Sequence, residues 1–307
     1  MTAGKSVIEL SSVKKPESIE LKAFAKINLY LEVLGRRADG YHDIRTVMVP
    51  VGIYDTLSFA KSSGSQIEIE LKGSPAKIAL EENLVYKTGQ RLAEAFQVNN
   101  LSAKVRLDKR IAIGAGLGGG SSDAASSLAG FARLWGLHPS LTQMHRLAAE
   151  LGSDVPFFLL GGAALATGRG EILTRVPARA FWVVIAQPVG VTVSTAWAYT
   201  NALVDCVTAP AGRLEALLDA LAAGDAKGMA AALHNDFLMG VEKHHPQIKD
   251  LRTLMMDSGA LAAMLSGSGS AVYAICNDEI QATEVGRKIA HAGIKNWITT
   301  AGVNCDV

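Results

Sequence analysis

An alternation of apolar and polar residues near the start of the chain predicts its first strand, over residues 19–34. In its second half the odd positions are apolar and the even ones polar, in the order Lys26, Ile27, Asn28, Leu29, Tyr30, Leu31, Glu32, Val33. Such a period of two is typical of a half-buried strand. Lys26 and Asn28 therefore share a face, with their Cα atoms about 7 Å apart. Periodicity alone favours a solvated role for this face.

Further periodic segments predict strands and helices in an α+β order. Alternating or buried-type segments predict strands over residues 43–51, 66–71, 103–107 and 181–187. Apolar residues at helical spacing predict helices after Asn83 and over residues 122–135, 141–151, 213–222, 246–258 and 278–292. Strands precede and surround the helices instead of alternating regularly with them. Glycines near residue 170 indicate a boundary between two domains, residues 1–170 and 171–307.

A glycine-rich segment between a strand and a helix is the main candidate for a functional site. Residues 111–125 read Ile-Ala-Ile-Gly-Ala-Gly-Leu-Gly-Gly-Gly-Ser-Ser-Asp-Ala-Ala, with five glycines within seven residues. The apolar residues 111–113 predict a strand end, and residues 121–123 stand where a helix N-cap belongs. Glycines let backbone N–H groups turn towards an anion, and a helix N-terminus adds positive partial charge. The segment therefore predicts a phosphate-binding loop.

Several better-known phosphate motifs do not fit this loop. A Walker loop needs a lysine after its glycines, and Ser121 follows Gly120 instead. The Gly-x-Gly-x-x-Gly spacing of Gly114, Gly116 and Gly119 is a weak signal by itself. A dinucleotide-binding fold would continue with a strand that ends in an acidic residue about 20 positions later, whereas two helices are predicted here. Protein-kinase signatures are absent from the sequence.

Composition narrows the class of protein. The chain has 307 residues, 49% of them apolar, and a formal net charge of +1, so we expect neither nucleic acid nor an anionic membrane as a partner. No apolar run reaches the length of about 18 residues typical of a membrane span. The cysteines Cys206, Cys276 and Cys305 lack metal-type or paired spacing, which favours a cytoplasmic location. Residues 1–16 are polar and lysine-containing, and we expect a loose tail there instead of a signal peptide.

Two other segments are candidates for the same site. Residues 265–273 read Leu-Ser-Gly-Ser-Gly-Ser-Ala-Val-Tyr, a second Gly/Ser turn that leads into a strand. It is either a tight turn between a helix and a strand or part of one nucleotide site with the first loop. Asp154 either caps a short helix with Pro156 in its first turn or acts in chemistry. The histidines lack partners at ligand spacing, so no metal is assigned to them.

Several of these segments together resemble the GHMP small-molecule kinases. They are Lys26-x-Asn28, Arg37-x-Asp39-Gly40-Tyr41-His42, the glycine loop over residues 114–125, Gly152-Ser153-Asp154-Val155-Pro156-Phe157, His234-Asn235-Asp236-Phe237 and residues 265–271. Their order matches over residues 20–300. The Asp-Gly-Tyr-His run resembles the one found in the branch that phosphorylates a cytidine-diphosphate-linked sugar alcohol for isoprenoid synthesis. It distinguishes that branch from the mevalonate and homoserine kinases. Ala112 departs from the proline usual in the family.

The resemblance implies the two-domain α+β fold of GHMP kinases, with an N-terminal domain like ribosomal protein S5 domain 2 and a ferredoxin-like α/β-plait C-terminal domain. It implies ATP and Mg²⁺ as cofactors and a cytidine diphosphate substrate in a cleft between the domains, in a monomer or weak homodimer. The ATP-binding residues would be Asn83, Lys109, Ala112, Ile113, Gly114, Ala115, Gly116, Leu117, Gly118, Gly119, Gly120, Ser121 and Ser122. The substrate-binding residues would be Asn28, Tyr41, His42, Asp154, Thr195, Tyr199 and Gly267.

The catalytic residues implied by the resemblance are Lys26 and Asp154. Asp154 would take the proton of the attacking hydroxyl, and Lys26 would neutralise developing charge beside it. The hydroxyl of Ser122 is the one protein ligand suggested for Mg²⁺. Tyr41 and Tyr199 are expected to sandwich the cytosine while His42 contacts its edge. The alternatives are a mevalonate-type or homoserine kinase, or a nucleotide sensor without catalysis, against which the presence of both Lys26 and Asp154 argues.

Overall fold

Two long antiparallel strands form the centre of the structure. In the computed structural model, which describes residues 18–73, 79–203 and 209–303, β1 spans Ser18–Arg36 and β2 spans His42–Ala60. The turn between them contains Gly40, whose φ of 86° suits glycine. The tail expected at residues 1–16, and Cys206 and Cys305, lie outside the described residues.

The predicted strands and helices occur in the predicted order, and further elements that the sequence patterns did not predict lie between and after them. The other strands are β3 Ile67–Lys72, β4 Ala103–Asp108, β5 Ala164–Thr167, β6 Ile172–Arg175, β7 Phe181–Ala186, β8 His234–Asn235, β9 Ala262–Leu265, β10 Val272–Cys276 and β11 Asn296–Ala301. The helices are α1 Leu84–Phe96, α2 Gly119–Trp135, α3 Leu141–Leu151, α4 Val155–Leu160, α5 Thr195–Asn201, α6 Arg213–Ala223, α7 Ala226–Ala232, α8 Leu238–His244, α9 Pro246–Asp257 and α10 Glu279–His291. Among the described residues, no helix is long and apolar enough to cross a bilayer.

One mixed sheet links the two halves of the chain. Its order is β3-β4-β2-β11-β7-β10-β9, and β1 and β5 also pair with β2. β3 runs parallel to β4 and β8 parallel to β1, whereas the central pairs are antiparallel. β11 joins β2 where Ala301 faces Val51. The predicted boundary at residue 170 lies in the turn between β5 and β6, which pair with each other, and the division into two domains stays a prediction.

Helices cover the sheet through three apolar clusters. One joins α1, α2 and α3 to β2 and β4, and there the rings of Phe59 and Phe131 meet edge to face at 5.2 Å. Gly130 allows this contact, because a Cβ at that position would overlap the Phe59 ring. A second cluster packs α8, α9 and α10 on β7, β9 and β10. The third joins the middle of β1 and β2 to β7, β10, α6 and α7, so it links the first strands to the second half of the chain.

Three local predictions are wrong. The middle of β1 is buried on both faces, with Lys26 only 4% exposed, because the glycine loop and the turn at Gly267 lie against its polar face. Residues 111–113 form no strand: Asp55 accepts hydrogen bonds from Arg110 N and Ile111 N and ends the pairing at β4. α2 begins at Gly119 with Gly118 as its N-cap, so residues 121–123 belong to its first turn.

Candidate active site

A single cleft collects the candidate residues. It measures about 1030 Å³ and opens between the glycine loop, the middle of β1, the turn before β2 and the N-terminal ends of α4 and α5. Every predicted site residue except Ser122 lines it, namely Lys26, Asn28, Tyr41, His42, Asn83, Lys109, Ala112, Ile113, Gly114, Ala115, Gly116, Leu117, Gly118, Gly119, Gly120, Ser121, Asp154, Thr195, Tyr199 and Gly267. Pockets for one ligand usually measure about 300–1,000 Å³, so this cleft lies at the upper end of that range.

The glycine loop has the backbone of an anion-binding site. Gly114, Gly116 and Gly118 have φ angles of 65°, 75° and 69°, which residues with a side chain rarely adopt. The loop ends at the N-terminus of α2, where the first N–H groups of a helix lack intrahelical acceptors. Ser122 differs: its N–H donates to Gly118 O at 2.9 Å and its side chain is buried. The anion site therefore comprises the backbone up to Ser121.

Lys26 lies where β1 passes the loop, and its ammonium is held by three oxygens. Its Nζ donates to Asn28 Oδ1 at 2.7 Å and to Gly116 O at 3.0 Å, and it forms an ion pair with Asp154 Oδ2 at 3.5 Å. Asn28 is oriented in turn by its Nδ2 donating to Thr46 Oγ1 at 2.7 Å. The prediction that Lys26 and Asn28 share a face is confirmed. The arrangement fixes a positive charge at the edge of the phosphate loop.

Asp154 stands at the start of α4 with its side chain turned to the cleft. It is the N-cap of α4, yet its side chain makes no capping hydrogen bond within the described part of the chain. Its side chain is 38% exposed, compared with 5% for that of Lys26. The exposed carboxylate can accept a proton from a small molecule in the cleft, and the buried ammonium beside it can stabilise negative charge on the same molecule. The geometry therefore favours a role of Asp154 in chemistry over that of a purely structural helix cap.

A buried cluster of three charged residues, Asp55, Lys109 and Asp123, lies next to the glycine loop. Lys109 Nζ donates to Asp55 Oδ2 at 2.5 Å and to Asp123 Oδ2 at 2.7 Å. Burial raises the pKa of Asp123 to about 8, because the attraction of Lys109 only partly offsets desolvation and Asp55 adds a like charge. The same cluster raises the pKa of Lys109, whose two carboxylate partners outweigh its burial. Lys109 therefore lines the cleft while its ammonium is already paired with two carboxyl groups, those of Asp55 and Asp123.

Asn83 and the aromatic residues His42 and Tyr199 also line the cleft. Asn83 caps α1 by accepting a hydrogen bond from Val85 N at 2.9 Å. The rings of His42 and Tyr199 are stacked, with centroids 4.7 Å apart and planes 22° apart. Burial, and next the charge of Asp154, raise the pKa of Tyr199 to about 12. A base stacked on that face of Tyr199 would have to displace the His42 ring.

Tyr41 lies at the rim of the cleft. It is 55% exposed, and the guanidinium of Arg169 lies 4.8 Å from its ring centroid. Among the described residues, the ring of Tyr199 contacts those of His42 and Phe237 and not that of Tyr41. The cytosine sandwich between Tyr41 and Tyr199 therefore stays a prediction.

Sequence reasoning missed several residues that build the site. Asp55 is fully buried and could have been found, because it interrupts the apolar series Val49, Val51, Ile53, Leu57, Phe59 on one face of β2. Thr46 and Ser266 carry no comparable signal, since their roles depend on contacts between distant segments. Ser266 Oγ donates to Gly116 O at 3.0 Å, which joins the second Gly/Ser turn to the first. That turn connects β9 to β10, not a helix to a strand.

Comparison with known proteins identifies the class to which this fold and site belong. Residues 83–162 match the family model described as "GHMP kinases N terminal domain". Residues 217–295 match the model described as "GHMP kinases C terminal". The first match contains the glycine loop and Asp154, and the second contains residues 265–271. The fold is thus that of a GHMP-type kinase, and the predicted fold class is confirmed.

Relatives over most of the chain narrow the class further. The 4-diphosphocytidyl-2-C-methyl-D-erythritol kinase of Symbiobacterium thermophilum is 43% identical over 264 residues, which are 85% of this chain and 91% of the relative. That of Gloeobacter violaceus is 37% identical over 273 residues, 88% and 89% respectively. The crystal structure of 4-(cytidine 5'-diphospho)-2C-methyl-D-erythritol kinase superposes with a TM-score of 0.79 at 33% identity, covering 93% of this chain and all of that one. The chain belongs to this family of GHMP kinases.

Family membership confirms the prediction of an ATP-dependent kinase that acts on a small molecule. The roles of individual site residues, the use of Mg²⁺, the oligomeric state, the absence of a nucleic-acid partner and the cytoplasmic location stay predictions. Cys276, which supported that location, is buried on β10 with the pKa of its thiol raised to about 12 by burial.

Proposed function

We propose that this protein transfers the γ-phosphoryl group of ATP to the 2-hydroxyl of 4-diphosphocytidyl-2-C-methyl-D-erythritol, in isoprenoid precursor synthesis. The observation that carries the proposal is the Lys26–Asp154 pair, 3.5 Å apart, at the edge of a glycine loop and inside the cleft that this loop lines. The relatives named for this activity support the choice of substrate. The proposal assigns ATP to the glycine-loop side and the cytidyl substrate to the side of His42 and Tyr199.

Phosphate binding rests on the backbone. The N–H groups of Gly119, Gly120 and Ser121 lie in the first turn of α2, before intrahelical bonding begins at Ser122. They would donate to the β- and γ-phosphates, and the helix dipole adds attraction for negative charge. Asn83 and Lys109 line the adjoining part of the cleft. Because Lys109 is already paired with Asp55 and Asp123, it would act there mainly by stabilising the position of the glycine loop.

Proton and charge transfer rest on the Lys26–Asp154 pair. The substrate hydroxyl oxygen attacks the γ-phosphorus, the bond from that phosphorus to the β,γ-bridging oxygen breaks, and ADP leaves. Asp154 accepts the hydroxyl proton, a contribution typically about 10²–10⁴-fold. Lys26 stabilises the negative charge on the oxygens of the transferring group. Its three fixed acceptors hold it in place before the substrate arrives.

Mg²⁺ fits this site as an ion carried mainly by the nucleotide. The described residues contain no group of three or more His, Cys, Asp or Glu side chains that could hold a metal. Mg²⁺ commonly binds through substrate phosphates, water and one or two protein oxygens. The hydroxyl of Ser121, which lines the cleft, is better placed to contribute than that of the buried Ser122. When bound, the ion would neutralise phosphate charge during transfer.

The test is acceptor-dependent ADP release. The purified protein is assayed with 4-diphosphocytidyl-2-C-methyl-D-erythritol, mevalonate and homoserine, with Asp154→Asn as the inactive control. We expect turnover only with the cytidyl substrate and loss of that turnover in the variant. Equal turnover with mevalonate or homoserine would refute the substrate assignment. ATP binding without turnover on any acceptor would identify a sensor.

A further inference from the structure

The segment His234–Asn235, which forms β8, and the two residues after it are part of the resemblance, yet no step above uses them. β8 lies parallel to β1, with His234 beside Tyr30 and Asn235 beside Leu31. Asp236 extends the contact: its N–H donates to Leu31 O at 3.0 Å, and its Oδ2 accepts from Val33 N at 2.7 Å. The segment is thus anchored to the strand that carries Lys26.

Asn235 connects this anchored strand to the second Gly/Ser turn. Its Nδ2 donates to Leu265 O at 3.0 Å and to Gly267 O at 2.8 Å, on either side of Ser266. Its Oδ1 accepts from Phe237 N at 2.9 Å. A side-chain amide has two N–H donors and one carbonyl acceptor, and all are used here at a residue only 5% exposed. Asn235 therefore fixes the position of the turn on both sides of Ser266.

The second Gly/Ser turn, positioned by Asn235, contacts the glycine loop, and the glycine loop in turn contacts Lys26. Gly116 O accepts from both Ser266 Oγ and Lys26 Nζ, each at 3.0 Å. Ala271 N also donates to Ala115 O at 3.0 Å. A Cβ on Gly116 would overlap Ser266 O, so the two backbones are in direct contact. A shift of the turn would therefore move the acceptor that orients the Lys26 ammonium.

We propose that Asn235 is a positioning residue for phosphoryl transfer, acting through the turn at Ser266 and Gly116 O on Lys26. Asn235 is not among the described residues that line the cleft, so its influence on chemistry is indirect. The inference rests on the proposed function, because the turnover that it affects is that of the cytidyl substrate. It goes beyond that function by assigning a role to a buried residue far from Lys26 in the sequence.

The experiment measures kcat, KM for ATP and the melting temperature of Asn235→Ala, Ser266→Ala and the double variant. Asn296→Ala is the matched control, because Asn296 Nδ2 also donates to two backbone carbonyls, Gly286 O and Ile294 O, outside the cleft. Misplacing a catalytic group by about 1 Å can cost on the order of 100-fold. We expect kcat of Asn235→Ala to fall about 10- to 100-fold with KM for ATP changed less than about threefold. Asn296→Ala should lower the melting temperature similarly and leave kcat unchanged.

The double variant separates positioning from general destabilisation. If Asn235 acts through Ser266, the double variant should lose about as much kcat as Asn235→Ala alone, not the product of the two losses. A wild-type kcat in Asn235→Ala, or fully multiplicative losses, would overturn the inference. If Asn235→Ala does not fold, Ser266→Ala decides alone, and a wild-type kcat there would overturn it. An inactive wild-type protein would instead refute the proposed function.

Discussion

A comparison of two alanine substitutions in the glycine loop tests how the loop is built. Gly116 and Gly114 both have positive φ, 75° and 65°. A Cβ on Gly116 would overlap Ser266 O and lie 3.1 Å from Gly269 N, whereas a Cβ on Gly114 would meet no described atom within 4 Å. The two substitutions thus share the backbone strain and differ in the steric clash.

The expected magnitudes follow from that difference. A left-handed conformation costs an alanine roughly 1–2 kcal/mol, which applies to both positions. Overpacking against fixed neighbours typically adds about 1–3 kcal/mol, which applies to Gly116 alone. We expect Gly114→Ala to lose about 1–2 kcal/mol of unfolding free energy and Gly116→Ala about 2–5 kcal/mol.

Turnover should separate the two variants more strongly, because Gly116 O is an acceptor for Lys26 Nζ. A displacement near 1 Å can cost on the order of 100-fold in rate, so we expect that loss of kcat in Gly116→Ala and a change below about tenfold in Gly114→Ala. Urea unfolding and ADP release measure both quantities. Equal losses of stability and turnover in the two variants would refute the contact between the loops as the reason for glycine at 116.

Three further substitutions test the site. Because the fold raises the pKa of Asp123 from near 3.9 to about 8, its ionisation costs stability from about pH 4 upward, until the cost levels off above about pH 8. Asp123→Asn should therefore become more stable relative to wild type at pH 8 than at pH 5 in urea unfolding, and an equal difference at both pH values would contradict this. Asp154→Asn should keep the melting temperature and ATP affinity while kcat falls about 10²–10⁴-fold, and near-wild-type kcat would exclude Asp154 as the base. Tyr199→Ala should raise KM for the cytidyl substrate about 5- to 150-fold, from about 1–3 kcal/mol of stacking; a lower melting temperature with unchanged KM would make Tyr199 purely structural.

Local patterns predicted most of the fold. Helical spacing placed α3 at its observed bounds and α6, α9 and α10 within one residue at each end. Alternation placed Lys26 and Asn28 on one face of β1. These predictions succeed because they depend on which side of one element is apolar. The glycine loop was found because its unusual composition reflects the φ angles that its backbone needs.

Contacts between distant segments could not be predicted in the same way. β2 continues past residue 51 to Ala60, where it pairs with the first residues of β1 on one side and with β4 from Thr56 onward on the other. The polar face of β1 is buried, since the turn at Gly267 reaches it from the other half of the chain. Lys109 was assigned to ATP by resemblance, and its partners Asp55 and Asp123 become apparent only when β2, β4 and α2 are brought together.

The most direct test of the central claim is to identify the product formed from ATP and 4-diphosphocytidyl-2-C-methyl-D-erythritol by phosphorus NMR. Carbon 2 of this substrate carries the methyl group and no hydrogen, so a phosphate on its oxygen has no vicinal proton to couple with. We expect a new phosphomonoester signal that stays a singlet without proton decoupling, formed in equal amount to ADP and absent with Asp154→Asn. A proton-coupled phosphomonoester, or ADP released without a new ester, would contradict the account.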